Sequence, residues 1–147
     1  MTEGTISIGL IEYDSEQYIE SVALRQKVLR DPLGLKFTKE NMVNDANEYH
    51  LAATNGSEII GILLLKPLIN DAVKMRQVAV SPDFQNQGIG KLLVQESETL
   101  SKNLGFKRIE LHARKVALPF YNAMNYLAIG DEFLEIGIPH YKMFKDL

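Results

Sequence analysis

The sequence predicts a mixed α/β fold, with helices lying on the faces of a mixed sheet. Three observations carry this expectation. Short apolar runs, some alternating with polar residues, have the signature of strands. Two longer stretches space their apolar residues three and four apart, as amphipathic helices do. Asn-Gly, Asn-Asp, Asp-Pro and single glycines punctuate the boundaries. A chain of 147 residues is expected to form one domain, residues 1–147.

Ile6, Ile8 and Leu10 alternate with Ser7 and Gly9, which predicts a half-buried strand. Asp14 or Ser15 then caps a helix running to about Leu29, with Ile19, Val22, Ala23 and Leu29 as its apolar stripe. Asp31-Pro32 ends it, because the residue before proline disfavours the helical region. A short second helix is expected over residues 39–44. The apolar runs 51–54 and 59–65 flank Asn55-Gly56-Ser57-Glu58, a strong hairpin signal. Asn55-Gly56-Ser57 also matches a glycosylation sequon, but without a leader sequence the turn is the better explanation. Residues 73–80 form the next strand, turning at Asn70-Asp71. After the loop 81–87, Ile89, Leu92, Leu93, Leu100 and Leu104 recur at helical spacing up to the stop at Gly105. In the strand 107–113, Ile109, Leu111 and Ala113 share one face while Glu110 and His112 share the other. A short helix over 117–124 and strands over 128–135 and 140–144 complete the order βααβββαβαββ.

Composition narrows the function classes. The 46% hydrophobic and 24% charged content is globular rather than disordered or collagen-like. The longest apolar run, 59–65, falls far short of the roughly 20 residues of a membrane-spanning helix, so no membrane partner is expected. No basic-then-apolar leader is visible, which makes the cytoplasm the expected address. A net charge of −3 argues against a nucleic-acid partner. The absence of cysteine excludes disulfides, thiolate zinc sites and a cysteine nucleophile. His50, His112 and His140 lack zinc-ligand spacing, so no metal is expected. There is no Gly-x-Ser-x-Gly elbow to support a serine hydrolase.

The informative segment is Gln85-Asn86-Gln87-Gly88-Ile89-Gly90-Lys91, at the start of the long helix. Two glycines let backbone N–H groups converge without side-chain obstruction. The helix start adds about half a positive charge, which suits an anion such as phosphate. A plain helix cap would use the same residues. A nucleotide P-loop fails, because Gln85 stands where its first glycine belongs and Leu92 where its hydroxyl belongs. A dinucleotide fingerprint gains from Glu110, about twenty residues on, but Leu93 replaces its third glycine and the loop 81–87 is too long.

From Val78-Ala79-Val80-Ser81-Pro82-Asp83-Phe84 through the glycine pair, the chain resembles motif A of the GNAT acyltransferase superfamily. The likeness continues along the helix, through Leu104-Gly105-Phe106, the strand 108–113 and Phe120-Tyr121. The end, Gly130-Asp131-Glu132-Phe133-Leu134-Glu135 with Gly137-Ile138-Pro139-His140, is similar to the ElaA-like branch. The resemblance implies a mostly antiparallel, splayed central sheet and transfer of an acetyl group from acetyl-CoA to an amine. It implies that backbone groups of Gln77, Val78, Ala79 and Val80 pair with the pantetheine amides. Backbone N–H groups of Gln85, Asn86, Gln87, Gly88, Ile89 and Gly90 would hold the pyrophosphate, and Lys91 either adds charge there or is solvated. Tyr121 is implied as proton donor to the leaving thiolate, so Tyr121→Phe should slow transfer by at most about 10²- to 10⁴-fold.

A lysine amine with pKa about 10.4 is neutral in only about 4 of 10,000 molecules at pH 7, a deficit of about 4.6 kcal/mol. A base is therefore expected, with Glu110, His112 and His140 as candidates. Glu132 and Glu135 are either solvated or recognise the acceptor's charge. Arg76 faces solvent, pairs with an acid or stands near the acceptor. Arg114-Lys115 replaces the asparagine that the superfamily often has after this strand, so those cations either meet the 3′-phosphate of CoA or lie on a wet loop. Asn125-Tyr126 replaces the usual Gly-Phe; asparagine tolerates the same left-handed turn. Without cysteine, direct attack in a ternary complex is expected, with the protein a monomer or homodimer. A non-catalytic acyl-CoA-binding or sensing module and a structural or partner-binding domain are the rival expectations.

Overall fold

A computed structural model of the chain describes residues 5–38 and 42–147. Seven strands form one sheet in the order β1-β2-β3-β4-β5-β7-β6. They are β1 (Ile6–Ile11), β2 (Tyr49–Asn55), β3 (Glu58–Pro67), β4 (Ala72–Val80), β5 (Arg108–Arg114), β6 (Leu127–Glu135) and β7 (Ile138–Asp146). Every neighbouring pair is antiparallel except β4 and β5. Helix α1 (Glu16–Arg25) packs on one face; α2 (Ile89–Asn103) and α3 (Leu118–Asn122) cover the other. The expected mixed, mostly antiparallel, splayed sheet with flanking helices is the fold observed. The short helix expected over 39–44 starts outside the described residues; Asn44–Asn47 is a 3₁₀ turn.

The unbroken apolar run of β3 follows from its central place. Ile60, Leu63 and Leu65 enter the core under α2, while Ile59, Ile62 and Leu64 enter the core under α1. Both faces are covered, so alternation disappears. Its hairpin to β2 turns over Gly56-Ser57, with Asn55 opposite Glu58 and Gly56 at a left-handed φ of 62°. Gly61 lets α2 approach this strand: a Cβ there would lie 2.8 Å from Leu93 Cδ1 and 3.3 Å from Ile89 Cγ2.

Three local expectations are corrected. The inward face of α1 is Tyr18, Ser21, Leu24 and Arg25, whereas Ile19 is 65% exposed. Buried electrostatics outweighs the aliphatic stripe. Arg25 Nη1 donates to Asp45 Oδ2 at 2.7 Å, and the Tyr18 hydroxyl donates to the same oxygen at 2.9 Å, with the Arg25 and Asp45 side chains fully enclosed. Nor does the α-helix reach Leu29. It widens into a π turn, Gln26–Arg30, followed by a 3₁₀ turn over Asp31–Leu33. The Gln26 side chain ties the following segment back, donating to Asp31 Oδ1 and Leu35 O and accepting from Phe37 N. Leu10, expected on the buried face of β1, is exposed.

The sheet opens at its centre. β4 and β5 pair only from Ala72↔Arg108 to Met75↔Leu111. On its other side, β4 pairs Ala79 with Ile62 and Arg76 with Leu64, so Gln77 and Val78 stand opposite Leu63 alone. This is a bulge, and Gln77 adopts φ 58° to make it. A bulged strand bends. From Arg76 onward β4 turns away from β5, leaving its edge unpaired on that side. Among the described residues no helix is long and apolar enough to cross a membrane.

Candidate active site

A cleft of about 410 Å³ occupies the gap between the diverging strands. Its walls are the π turn (Val28, Leu29, Arg30), the bulge of β4 (Met75, Arg76, Gln77, Val78) and the end of β5 (Leu111, His112, Ala113, Arg114). Ala117 and Tyr121 close one side; Glu135, Ile136 and His140 close the other. The β6–β7 turn is Ile136-Gly137, with φ of 46° and 73°. Two positive φ values match the twist of a two-residue hairpin, although a β-branched residue is costly there.

Tyr121 is one of three buried tyrosines, and the other two are committed. Tyr18 donates to Asp45, and Tyr126 donates to Glu98 Oε2 at 2.9 Å. The Tyr121 ring is gripped edge-on by Phe120 and Tyr126, with centroids at 4.9 and 5.7 Å, yet its hydroxyl has no hydrogen-bond partner among the described residues. Burial pushes its phenol up to about 12. Tyr121 therefore stays protonated at any working pH and has a proton to donate.

Opposite it, His112 Nδ1 lies 2.8 Å from Glu135 Oε1. That contact assigns the proton to Nδ1 and leaves Nε2 with a lone pair. His140 flanks the same carboxylate, its Nε2 3.6 Å from Glu135 Oε2, while its Nδ1 donates to Ile138 O at 2.7 Å. The Phe133 ring meets both imidazoles, edge-on to His112 and stacked on His140. Burial is the largest single influence on Glu135 and raises its carboxyl. The His112 hydrogen bond, the charge of Lys74 and the charges that His112 and His140 carry when protonated together outweigh it and hold that carboxyl below its ordinary range. The ammonium of Lys74 lies 3.5 Å from His112 Nδ1, and burial lowers it. The imidazole thus has a fixed carboxylate behind it and a basic nitrogen to offer.

The structure separates the other candidates. Glu110, on the same face of β5 as His112, is 3.4 Å from Lys142 and lines a different cavity of about 890 Å³ at the opposite end of the sheet. Glu132 pairs with Lys115 at 3.2 Å. Arg76 pairs with Glu48 at 2.6 Å. Arg114 lines the cleft, whereas Lys115 lies outside it. Sequence reasoning did not single out Arg30 or pair His112 with Glu135. The signal for the pair was the Ile136-Gly137 turn, which brings Glu135 back beside β7.

The glycine loop runs from the end of β4 into α2. Pro82–Phe84 makes a 3₁₀ turn, Gln85 Nε2 donates back to Val80 O at 3.1 Å, and Gln87 Nε2 donates to Asp83 O at 3.3 Å. Asn86 and Gly88 take left-handed φ of 62° and 82°. Gly88 caps α2 without a side-chain hydrogen bond, so the first amides of a 15-residue helix have no capping side chain. Gln85, Asn86, Gln87, Gly88 and Lys91 are exposed, while Ile89 anchors the turn in the core. Gly90 packs by Phe120, which brings the helix start close to Tyr121. Gln77, Val78, Ala79 and Val80 form the bent part of β4, and Arg25 Nε donates to Gln77 Oε1 at 3.4 Å. Among the described residues no group of His, Asp and Glu could hold a metal ion.

The family model described as an acetyltransferase (GNAT) domain matches residues 33–147. The uncharacterized N-acetyltransferase YjcF of Bacillus subtilis (strain 168) is 23% identical over 139 residues, covering 94% of this chain and 99% of that one. Escherichia coli ElaA superimposes with a TM-score of 0.83 at 17% identity, over 96% of this chain and 99% of its own. A GNAT family acetyltransferase from Elizabethkingia anophelis, solved with acetyl-CoA bound, gives 0.75 at 21% identity, over 97% and 98% of the two chains.

Proposed function

The chain belongs to the GNAT acetyltransferase family, and on that premise we propose that it moves the acetyl group of acetyl-CoA to a primary amine of a small molecule or peptide by direct attack in one ternary complex. The observation that carries this is the unpartnered Tyr121 hydroxyl in the same cleft as a carboxylate-backed imidazole. One group can give a proton and the other can take one, as acyl transfer to an amine requires.

The residues present fit a long thioester. The free edge of β4 from Arg76 onward offers backbone groups to the amides of pantetheine, as a sheet edge does to an added strand. The amides around Gly88 and Gly90, at a helix start with no side-chain cap, suit a pyrophosphate. Acetyl-CoA supplies the activated acyl carbon: a C–N bond forms as the C–S bond breaks. His112 Nε2 takes the proton that the amine must lose. Glu135 holds the imidazole in the tautomer that can accept it and stabilises the imidazolium that results, as a carboxylate behind a histidine does elsewhere. Tyr121 donates to the sulfur as negative charge builds there. Glu110, paired with Lys142 outside the cleft, is left out of this scheme.

The test is thiol release from acetyl-CoA with a panel of amines. His112→Gln and Glu135→Gln should lower turnover by about 10²-fold and 10-fold or more, with affinity for CoA unchanged. CoA binding with no thiol release from any amine would instead favour a non-catalytic acyl-CoA-binding module.

A further inference from the structure

The chain has five arginines, and three of them carry an ion pair: Arg25 with Asp45, Arg76 with Glu48 and Arg108 with Asp146. The two that carry none among the described residues, Arg30 and Arg114, both line the cleft. In a chain of net charge −3, two uncompensated guanidinium groups in one small cavity are a local inversion of sign. Among the described residues the one acid lining that cavity, Glu135, is engaged by His112. We propose that the acceptor carries an anionic group, a carboxylate or phosphate, beside its amine, and that Arg30 and Arg114 bind this group. The inference rests on the transfer reading and names the substrate class of that site.

The geometry of each arginine supports it. The Arg30 guanidinium carbon sits over the Phe37 ring, 4.4 Å from its centroid, and Nη1 donates to Leu29 O at 3.3 Å, which leaves the remaining donors without a partner among the described residues. Arg25 stacks over the same ring at 4.8 Å. Burial lowers Arg30, and the charges of Arg114, Arg25 and Arg76 lower it further, against a smaller opposing pull from the Glu135 carboxylate, which His112 already engages. Arg30 and Arg114 both line the cleft and repel each other, and a bound anion relieves that repulsion. Arg114 follows His112 by two residues on β5, with buried Ala113 between them, so both project from one face about 7 Å apart. An acceptor whose amine meets His112 therefore has its anionic end within reach of Arg114. A volume of about 410 Å³ suits a small amino acid or a peptide end rather than a large surface. The anion takes no part in the bond changes; it sets where the amine sits.

The experiment compares kcat/KM for amino acids against their own carboxamides, and for phosphoethanolamine against ethanolamine, by thiol release. A carboxamide's amine is the less basic, so a preference for the acid cannot come from the amine itself. The expected result is an advantage of roughly 10- to 100-fold for the anionic member of at least one pair, expressed in KM. Arg30→Gln and Arg114→Gln should each erode it without changing CoA affinity, while the Lys variants keep part of it. The pair with the larger advantage distinguishes carboxylate from phosphate. Neutral members used as well as anionic ones, or a preference surviving in both Gln variants, would overturn the proposal. If no amine releases thiol, the transfer reading fails separately. The anion site is then judged by calorimetry on the CoA-loaded protein, with N-acetylmethionine against N-acetylmethioninamide. Tighter binding of the acid that weakens in the Arg→Gln variants upholds the site, and equal binding rejects it.

Discussion

Replacing Tyr121 with Phe removes one oxygen from a ring that is otherwise fully engaged. The edge contacts to Phe120 and Tyr126 survive, and the lost hydroxyl had no protein partner. CoA affinity and the thermal midpoint should therefore stay close to wild type. The phenol, pushed up to about 12, is a far weaker acid than a thiol near 8.5. Complete proton transfer to the free thiolate would be uphill by about 3.5 units, or about 4.8 kcal/mol. In the proposed scheme Tyr121 would therefore contribute a hydrogen bond to the departing sulfur rather than a finished proton transfer. Hydrogen bonds to charged groups contribute about 1.5–3 kcal/mol, so turnover should fall about 10- to 150-fold. Single-turnover thiol release measures this, alongside calorimetry with CoA. Because the phenol stays protonated, the pH–rate profiles of the two enzymes should share their shape below pH 10. A rate within twofold of wild type, or a loss confined to CoA affinity, would refute the reasoning.

Three further outcomes follow from the packing. Asp45→Ala leaves the Arg25 guanidinium enclosed without a counter-charge and should cost about 3–5 kcal/mol in denaturant unfolding; a loss below about 1 kcal/mol would show that Arg25 is otherwise compensated. Gly61→Ala drives a methyl to 2.8 Å from Leu93 Cδ1, which should cost about 1–3 kcal/mol and weaken CoA binding by displacing the first turns of α2; unchanged unfolding and affinity would show that the core yields freely. Burial raises the Glu48 carboxyl despite Arg76, so the fold penalises its charged form, and this penalty grows as pH rises from the ordinary carboxylate range through the raised titration. Glu48→Gln should therefore gain stability relative to wild type as pH rises from 4 to 8, and a difference moving the other way would contradict the assignment.

The framework was legible because its signals are local. The run 59–65, the turn at Asn55-Gly56 and the glycine loop each declare themselves within ten residues. Tyr121 was singled out through the Phe120-Tyr121 resemblance, and the structure adds a buried ring whose hydroxyl has no hydrogen-bond partner among the described residues. What stayed hidden depends on distant partners. Arg25 reads as a surface charge on a helix, and only Asp45, twenty residues on, makes it an inward one. Glu135 reads as one more acid until the β6–β7 register sets it against His112. Gln77 carries no mark of a bulge, since left-handed backbone is expected of glycine or asparagine, and the curvature of β4 imposes it. Arg30, without an ion pair among the described residues, differs from the paired arginines only by what fails to meet it, and Arg114 was singled out for another anion, the 3′-phosphate of CoA.

β7 comes after β6 in the chain but stands between β6 and β5 in the sheet. His112 and Glu135 therefore sit on strands that never pair with each other; a third strand bridges them. A nascent polypeptide that has emerged only as far as residue 137 could assemble the sheet from β1 to β5, but β5 would still lack its antiparallel neighbour. The proposed base and its carboxylate would then have nothing to hold them in register. In the proposed scheme the pair is completed only when the closing hairpin docks, because β7 must enter between β5 and β6.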